Sequence, residues 1–343
     1  MRWIDSLPQR AAQNLPAPVA EYYAQGATAG VTAREAPDSW ETYRLRPRVM
    51  RNVREISTAT SVLGHELATP VLIAPSTLQR QADDAGEAAT TRAAARAGSL
   101  ACITSNSGTR FEVLGALGVP WWVQAYVFRD RGLSAEMLRQ ARDCGATAVV
   151  LTVDTPLPGT KYNAGKAVWD IVPSEHLLVN FDPSLPDEAY VKADDLTFAD
   201  IGWLREVTGL PVVIKGVLRA DDALACVQAG ANAIQVSNHG GRQLDLAVHT
   251  AHALPEIAEA LAGTGAEVYV DGGIRRGEHV MMALALGARA VFVGRPVLWA
   301  LAAEGEPGVE RLLADLTAEL ALTMKLSGMA TIADITPDLV TRP

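Results

Sequence analysis

PVVIKGVLRADDALACVQAGANAIQVSN, residues 211–238, carries the pattern that decides the fold. Two short apolar runs rich in β-branched residues, PVVIKG (211–216) and NAIQVSN (232–238), bracket a helical stretch, ALACVQA, that stops at Gly230. A strand, a helix and a second strand in that order read as one crossover unit of a parallel sheet. The unit repeats on both sides, with PVLIAP (70–75), LACITS (100–105), PWWVQAY (120–126) and TAVVLTVD (147–154) upstream and EVYVDGG (267–273) and RAVFVGR (289–295) downstream. Gly98, Gly145 and Gly287 close helical stretches as Gly230 does. Several of the eight runs are apolar without alternation, as strands buried on both faces are, so the sequence predicts an α/β fold, a closed TIM (β/α)8 barrel rather than an open doubly wound sheet.

The chain of 343 residues reads as one barrel domain, 1–343, with two segments outside the rhythm. Residues 1–60, rich in Arg and Pro, form an N-terminal extension expected to pack as helices against or across one barrel end. Residues 155–195 show no clear period and leave the carboxyl end of the fourth strand, where barrel enzymes place their chemistry. A loop of that length there is expected to be an active-site lid, with a disordered surface insertion as the other reading.

The totals narrow the function classes. Apolar residues make up 49% of the chain and charged residues 20%, an ordinary globular balance. A net charge of -9 with no long Lys/Arg block argues against nucleic acid and anionic membranes as partners, so any phosphate must be held by a local site. Cys102, Cys144 and Cys226 stand far apart with no CxxC pairing, which reads as reduced, mostly buried thiols and no metal site. No apolar run reaches the ~18 residues of a membrane span, and MRWIDSLPQRAAQNLP lacks the apolar core of a signal peptide, so a cytoplasmic location is expected.

The chemistry-bearing residues cluster at strand ends. SNHGGRQLD, Ser237 to Asp245, follows strand six, and its two glycines let the backbone turn tightly between His239 and Arg242. A neutral imidazole can accept a proton and a guanidinium can grip a carboxylate with two parallel bonds, so the turn suits binding and deprotonation of an acid. Alternatively the pair only caps the strand and meets a nearby acid. Lys215 and Asp154 end two further strands on the same face. Lys215 would place fixed positive charge where negative charge develops, and Asp154 would hold one nitrogen of the His239 ring; a solvated lysine and a helix N-cap are the plain alternatives.

The last two units, VDGGIRRG and VFVGRP, each place a Gly-rich turn with an Arg at the start of a helix. Backbone N–H groups at a helix start and a guanidinium both favour an anion, and barrels often bind phosphate after strands seven and eight. Gly272, Gly273, Arg275, Gly294 and Arg295 are therefore the expected phosphate contacts.

SNHGGRQLD, VVIKGV, LTVDTP and DGGIRRG, in this order, resemble the FMN-dependent family that includes glycolate oxidase, lactate oxidase, mandelate dehydrogenase and flavocytochrome b2. YYAQGA from Tyr22, RLRPRVM at 44–50, IAPSTLQR at 73–80 and WVQAYVFRDR at 122–131 extend the likeness from about residue 20 to the C-terminal helix. The resemblance implies FMN as cofactor, its ring contacted by Ala74, Pro75, Ser76, Ser105, Gln124, Thr152 and Lys215, with Ser237 and Asp271 among the cofactor residues. It further implies that His239 takes a proton from the substrate, that Lys215 stabilises negative charge on the reduced ring, and that Tyr22, Tyr126 and Arg242 hold the substrate's carboxylate and hydroxyl. A small-molecule 2-hydroxy acid, oxygen or another electron acceptor, and a homo-oligomer, a tetramer by resemblance, are the implied partners. No haem-binding extension precedes residue 1, so no fused cytochrome is expected.

Departures bear on the substrate. Where the family usually has a second carboxylate-binding Arg after the DTP segment, this chain reads PLPGTKYN, with Lys161 as the nearest counterpart and a point charge in place of a planar fork. Asn106 stands where a bulky aromatic is common, which suggests a wider or more polar pocket, and Thr77 stands near the flavin where the family often has Ala, which would alter polarity or oxygen access. An aryl or larger 2-hydroxy acid is the leading expectation, with apolar surface from Tyr162, Trp169 and Phe181 unless these form the lid's own core. A hydroxy or amino compound without a free carboxylate is the alternative. FMN isomerases of diphosphates and a non-catalytic flavin-binding protein stand further off.

Overall fold

The computed structural model describes residues 2–341 apart from 163–166, 178 and 183, so those positions of the expected lid, and residues 1, 342 and 343 of the barrel domain, lie outside the described residues. Eight parallel strands close into a barrel: Val71–Ile73, Ala101–Thr104, Trp121–Ala125, Ala146–Thr152, Val212–Val217, Ala233–Val236, Glu267–Asp271 and Ala290–Val293. Each falls on one of the eight apolar runs. They pair in chain order, and the last pairs with the first through Val291 and Val71.

Their side chains alternate between two cores. On the fourth strand Val149 and Leu151 point outward into the layer shared with the helices, while Ala148 and Val150 point into the barrel. Both sets are buried, and each large aliphatic side chain so placed contributes roughly 1.5–3 kcal/mol. The inner core centres on Trp122, Tyr269 and Phe292, whose ring centroids lie 5.6 to 5.9 Å apart. Below it the hairpin of Thr60–Val62 and His65–Leu67 closes the amino end, adding Val62 and Leu67 to that core.

The helices that complete the units are amphipathic. Arg131–Asp143 begins at Asp130, whose carboxylate accepts from the Gly132 and Leu133 amides, and buries Ser134, Met137, Leu138 and Ala141 at helical spacing. The N-terminal extension forms three helices, Trp3–Asn14, Ala17–Ala24 and Val31–Trp40. The first packs against the C-terminal helix Arg295–Ser327, which is interrupted at Gly305. The third lies across the carboxyl end of the barrel, where Trp40 Nε1 donates to Gly272 O at 2.8 Å.

The segment after the fourth strand departs from the expectation of a structureless loop. It contains a short helix, Ala167–Ile171, and 3₁₀ turns at Ser174–His176 and Asp187–Tyr190. Phe181 and Tyr190 pack on Phe128 at 5.3 and 5.4 Å, so this stretch has a small core of its own. Its end returns to the barrel along residues 127–129, where Lys192 bridges Phe128 and the Ala193 amide donates to Val127 O at 2.8 Å.

Candidate active site

The period of two along each strand carries the apolar barrel interior into a polar mouth. Two residues past Trp122 comes Gln124, past Val150 comes Thr152, past Val213 comes Lys215 and past Tyr269 comes Asp271. These four, with Ala74, Pro75 and Ser76 after the first strand, line a cavity of about 410 Å³ at the carboxyl end of the barrel. Tyr22, Tyr126, Lys161, His239, Arg242, Gly272, Gly273, Arg275, Gly294 and Arg295 line it as well. Three sequence-derived candidates, Ser105, Ser237 and Asp154, do not, and bond to neighbours instead: Ser105 Oγ accepts from the Tyr126 amide at 3.4 Å, and Thr104 and Asn106 reach the cavity on either side of it.

The turn after strand six is tightly determined. His239, Gly240 and Gly241 all have positive φ, 56°, 62° and 72°, a conformation rare for a histidine. The turn is held by Ser237 Oγ, which accepts from the His239 amide at 3.1 Å, and by Asn238 Oδ1, which accepts from the Gly241 amide at 3.3 Å. His239 Nδ1 lies 2.9 Å from Asp154 Oδ1, and Thr155 Oγ1 donates to the same oxygen at 3.1 Å. A carboxylate in that position fixes the proton on Nδ1 and leaves Nε2 with its lone pair, without a protein partner among the described residues.

Electrostatics support that assignment. Burial lowers the His239 pKa from its ordinary value, only partly opposed by Asp154, so the ring is neutral and basic near pH 7. Burial alone would raise the Asp154 carboxyl, but His239 and Lys215 outweigh it and hold it at about 2. Gly216 makes this packing possible: at φ 110° it interrupts the register between strands five and six, and a Cβ there would lie 2.7 Å from the Asp154 side chain.

Lys215 is buried inside a closed set of partners. Its Nζ donates to Ser237 Oγ at 2.9 Å and lies 3.4 Å from Asp271 Oδ2, while Ser237 donates to Asp271 Oδ1 and Gln235 Nε2 to Oδ2. Burial alone would lower the ammonium pKa; Asp271 and Asp154 reverse this and raise it, so the charge is permanent.

The turns after strands seven and eight are different. Arg275 and Arg295 hydrogen-bond only to neutral protein groups among the described residues. Arg275 donates to Ile274 O at 2.7 Å and stands over Trp299; Arg295 donates to the carbonyls of Tyr23, Gly240 and Gln25. Burial drives their pKa values down to about 10 and about 9. Gly273 at φ 76° is pressed so closely by the extension that a Cβ would lie 2.1 Å from Ala36 O.

A ligand with a phosphate and a ring carrying carbonyl groups fits these donors. The two buried guanidiniums and the glycine turns suit the phosphate. Lys215 and Gln124 Nε2, which is buried without a hydrogen-bond partner among the described residues, suit the ring.

Tyr22, Tyr126 and Arg242, the residues expected to hold the substrate, line the cavity together. Arg242 Nη1 donates to Tyr22 O at 2.8 Å and Gln25 O at 3.1 Å, and the guanidinium stacks 4.7 Å over the Tyr22 ring, leaving its remaining donors for a ligand. Burial pushes the Tyr126 phenol up to about 12, so it is a neutral donor. Lys161 Nζ donates to Gly159 O at 2.5 Å and Arg242 O at 2.7 Å, which ties the loop after strand four to the turn that carries His239 and Arg242. Thr77 and Asn106 border the cavity, Thr77 Oγ1 donating to Asn106 O at 3.0 Å. Of the three lid aromatics, Trp169 meets Tyr22 edge-on at 5.5 Å and lines the cavity, Phe181 belongs to the lid core and Tyr162 is exposed.

Sequence reading missed Thr155 and Lys192. Thr155 is the residue after Asp154 in the DTP segment, a signal within reach. Lys192 lies in the aperiodic stretch and enters the cavity only through its pairing with Phe128.

Comparison with known proteins agrees with this architecture. Residues 11–342 match the FMN-dependent dehydrogenase family. The chain is 39% identical to human 2-hydroxyacid oxidase 1, covering 98% of this chain and 95% of that one, and 41% identical to L-lactate oxidase of Nostoc sp., covering 92% and 91%. Among solved structures it is similar to mandelate oxidase with (S)-4-hydroxymandelic acid, with a TM-score of 0.90, 35% identity and 98% of each chain covered. With this match along nearly its whole length and a barrel mouth that fits the cofactor, the chain belongs to the FMN-dependent dehydrogenase family, and its cofactor is FMN.

Proposed function

We propose that the protein oxidises an aryl or larger 2-hydroxy acid to the 2-oxo acid. Oxidation of a 2-hydroxy acid is the chemistry its relatives' names carry, and FMN dependence is in the name of its family. The observation behind the residue roles is that His239, held by Asp154, shares one cavity with the free donors of Arg242. Arg242 grips the substrate carboxylate, and Tyr22 and Tyr126 orient the acid and its hydroxyl. Nε2 of His239 accepts the substrate's proton, and the Asp154 carboxylate stabilises the resulting imidazolium. FMN, when bound, supplies the two-electron acceptor, and Lys215 provides fixed positive charge beside it. Arg275, Arg295 and the glycine turns anchor the cofactor phosphate.

Preference for a larger acid rests on Trp169, Val168 and Leu298 at the cavity, on the modest size of Asn106, and on likeness to mandelate oxidase. Burying an aryl group there gains roughly 25 cal/mol per Å², which a two- or three-carbon acid cannot match. The test is an anaerobic flavin-bleaching screen of glycolate, lactate, mandelate, 4-hydroxymandelate and mandelamide. Mandelate and 4-hydroxymandelate are expected to reduce the flavin most efficiently. Best reduction by glycolate or lactate refutes the size preference, and reduction by the amide alone moves the enzyme to substrates without a free carboxylate.

A further inference from the structure

We propose that Lys192, at the far end of the lid segment, is the second carboxylate-binding cation of the substrate pocket and that Lys161 is not. This inference rests on the 2-hydroxy acid reading above and deepens it by naming a residue that sets preference for a charged over a neutral substrate.

The two lysines differ in what they touch. The Lys161 ammonium already donates to Gly159 O and Arg242 O, and Gly159 is in turn bound through its amide to Gln243 Oε1 at 2.8 Å. Its charge serves as a latch between the loop and the turn that carries Arg242. Lys192 Nζ rests 3.3 Å from the centroid of the Tyr126 ring, and has no carboxylate or carbonyl acceptor among the described residues. A π face satisfies one side of an ammonium and leaves its other hydrogens directed away from the ring.

Lys192 also stands where a substrate anion can reach it. It lines the main cavity together with Tyr126, Arg242 and His239, and it borders a side cavity of about 100 Å³ shared with Thr155 and Asp194. Neither nearby acid neutralises it: Asp154 is committed to His239 at 2.9 Å, and Asp194 pairs with Arg129 at 3.1 Å. Burial consequently lowers the Lys192 pKa to about 8, with Asp154 opposing. A desolvated ammonium without a counter-ion is stabilised when a carboxylate enters the same cavity. Its position is fixed by the backbone, because Val191 and Ala193 on either side pair with Arg129 and Val127.

The test uses FMN-loaded enzyme and two non-oxidisable probes, phenylacetate and phenylacetamide, with binding read from the perturbed flavin spectrum. Lys192→Met is expected to weaken phenylacetate by about 10- to 150-fold, the range of one charge-assisted hydrogen bond, and phenylacetamide by less than about 3-fold. Lys192→Arg is expected to restore most of the acid affinity, and Lys161→Met to reduce it less than Lys192→Met does. Unchanged phenylacetate affinity in Lys192→Met, an equal loss for acid and amide, or a larger acid-selective loss in Lys161→Met each overturns the proposal. The 2-hydroxy acid reading fails separately, if wild-type enzyme binds phenylacetate but no 2-hydroxy acid bleaches its flavin.

Discussion

The barrel mouth has two charged regions built on opposite principles. At the ends of strands four to seven His239, Lys215 and Asp271 each have internal partners: His239 with Asp154, Lys215 with Ser237 and Asp271, Asp271 with Gln235. Around strands seven and eight Arg275 and Arg295 are buried against carbonyls and a tryptophan ring. The three groups of the first region are paired within the protein itself, which sets their protonation states without a ligand. The second holds charge that costs several kcal/mol per ion to bury and that a ligand's own negative charge offsets. Chemistry and cofactor retention are therefore expected to separate when the two regions are altered in turn.

The largest effect is expected at the paired region. His239→Ala should lower the rate of flavin reduction by substrate ~10²- to 10⁴-fold while FMN content stays at the wild-type level. Anaerobic rapid mixing measures the rate and released flavin measures the content. A parallel fall in both would mean that the regions are not separable.

Asp154→Asn should slow reduction by about 10- to 150-fold, the range for losing one hydrogen bond to a charged group. Because burial lowers the His239 pKa, the acid limb of the wild-type rate should lie below about pH 6.5. Asp154 opposes that lowering, so the asparagine variant should shift the limb to still lower pH. A limb that stays in place would assign the proton to another group.

The unpaired region gives an effect of opposite sign in the two states. Arg275→Met should weaken FMN binding by about 10- to 150-fold, yet leave the cofactor-free protein as stable as wild type or more so, because a buried charge with one carbonyl partner is removed. Thermal melts with and without saturating FMN check this. The FMN-induced rise in melting temperature should shrink. Arg295 is the less clean choice, since three carbonyls of the extension and the turn of His239 would lose their donor.

What the sequence made legible follows from how each residue is held. Lys215, Asp271, Gln124 and Thr152 occupy inward positions of strands, and Arg275 and Arg295 open the turns that follow strands; strand period and strand count place all of them without knowledge of tertiary contacts. His239 and Arg242 were visible because two glycines announce a tight turn directly after a strand. Ser105 faces away from the cavity because it bonds to the start of the next loop, a one-residue matter of register that local pattern does not resolve. Lys192 reaches the cavity from a segment without period, through a bridge to a residue 64 positions earlier in sequence, Phe128. The short helix and 3₁₀ turns of that segment were hidden for the same reason, since Phe181 and Tyr190 are held by Phe128 rather than by a local repeat.

The smallest expected effect concerns the element that both regions lean on. Helix Val31–Trp40 presses on the turn of His239, where a Cβ at Gly241 would meet the Ala33 amide at 2.5 Å, and on the turn at Gly273. Asp245, the last residue of SNHGGRQLD, caps that helix: its carboxylate accepts from Thr28 Oγ1 at 2.9 Å, Val31 N at 3.2 Å and Thr32 N at 2.9 Å. The cap therefore joins the helix to the turn that it covers. Burial would raise the Asp245 carboxyl, but these three donors prevail and hold it well below the usual carboxylate range. A group with a depressed folded pKa contributes stability above its unfolded value, about 3.9, and loses it as the pH falls through the folded value. Asp245→Ala should thus cost about 1 kcal/mol at pH 7, roughly 2 °C in melting temperature, with the gap to wild type closing below about pH 4. Because the helix touches both turns, FMN affinity and flavin reduction should each fall slightly and together. A loss confined to one of them would show that the extension supports only that region.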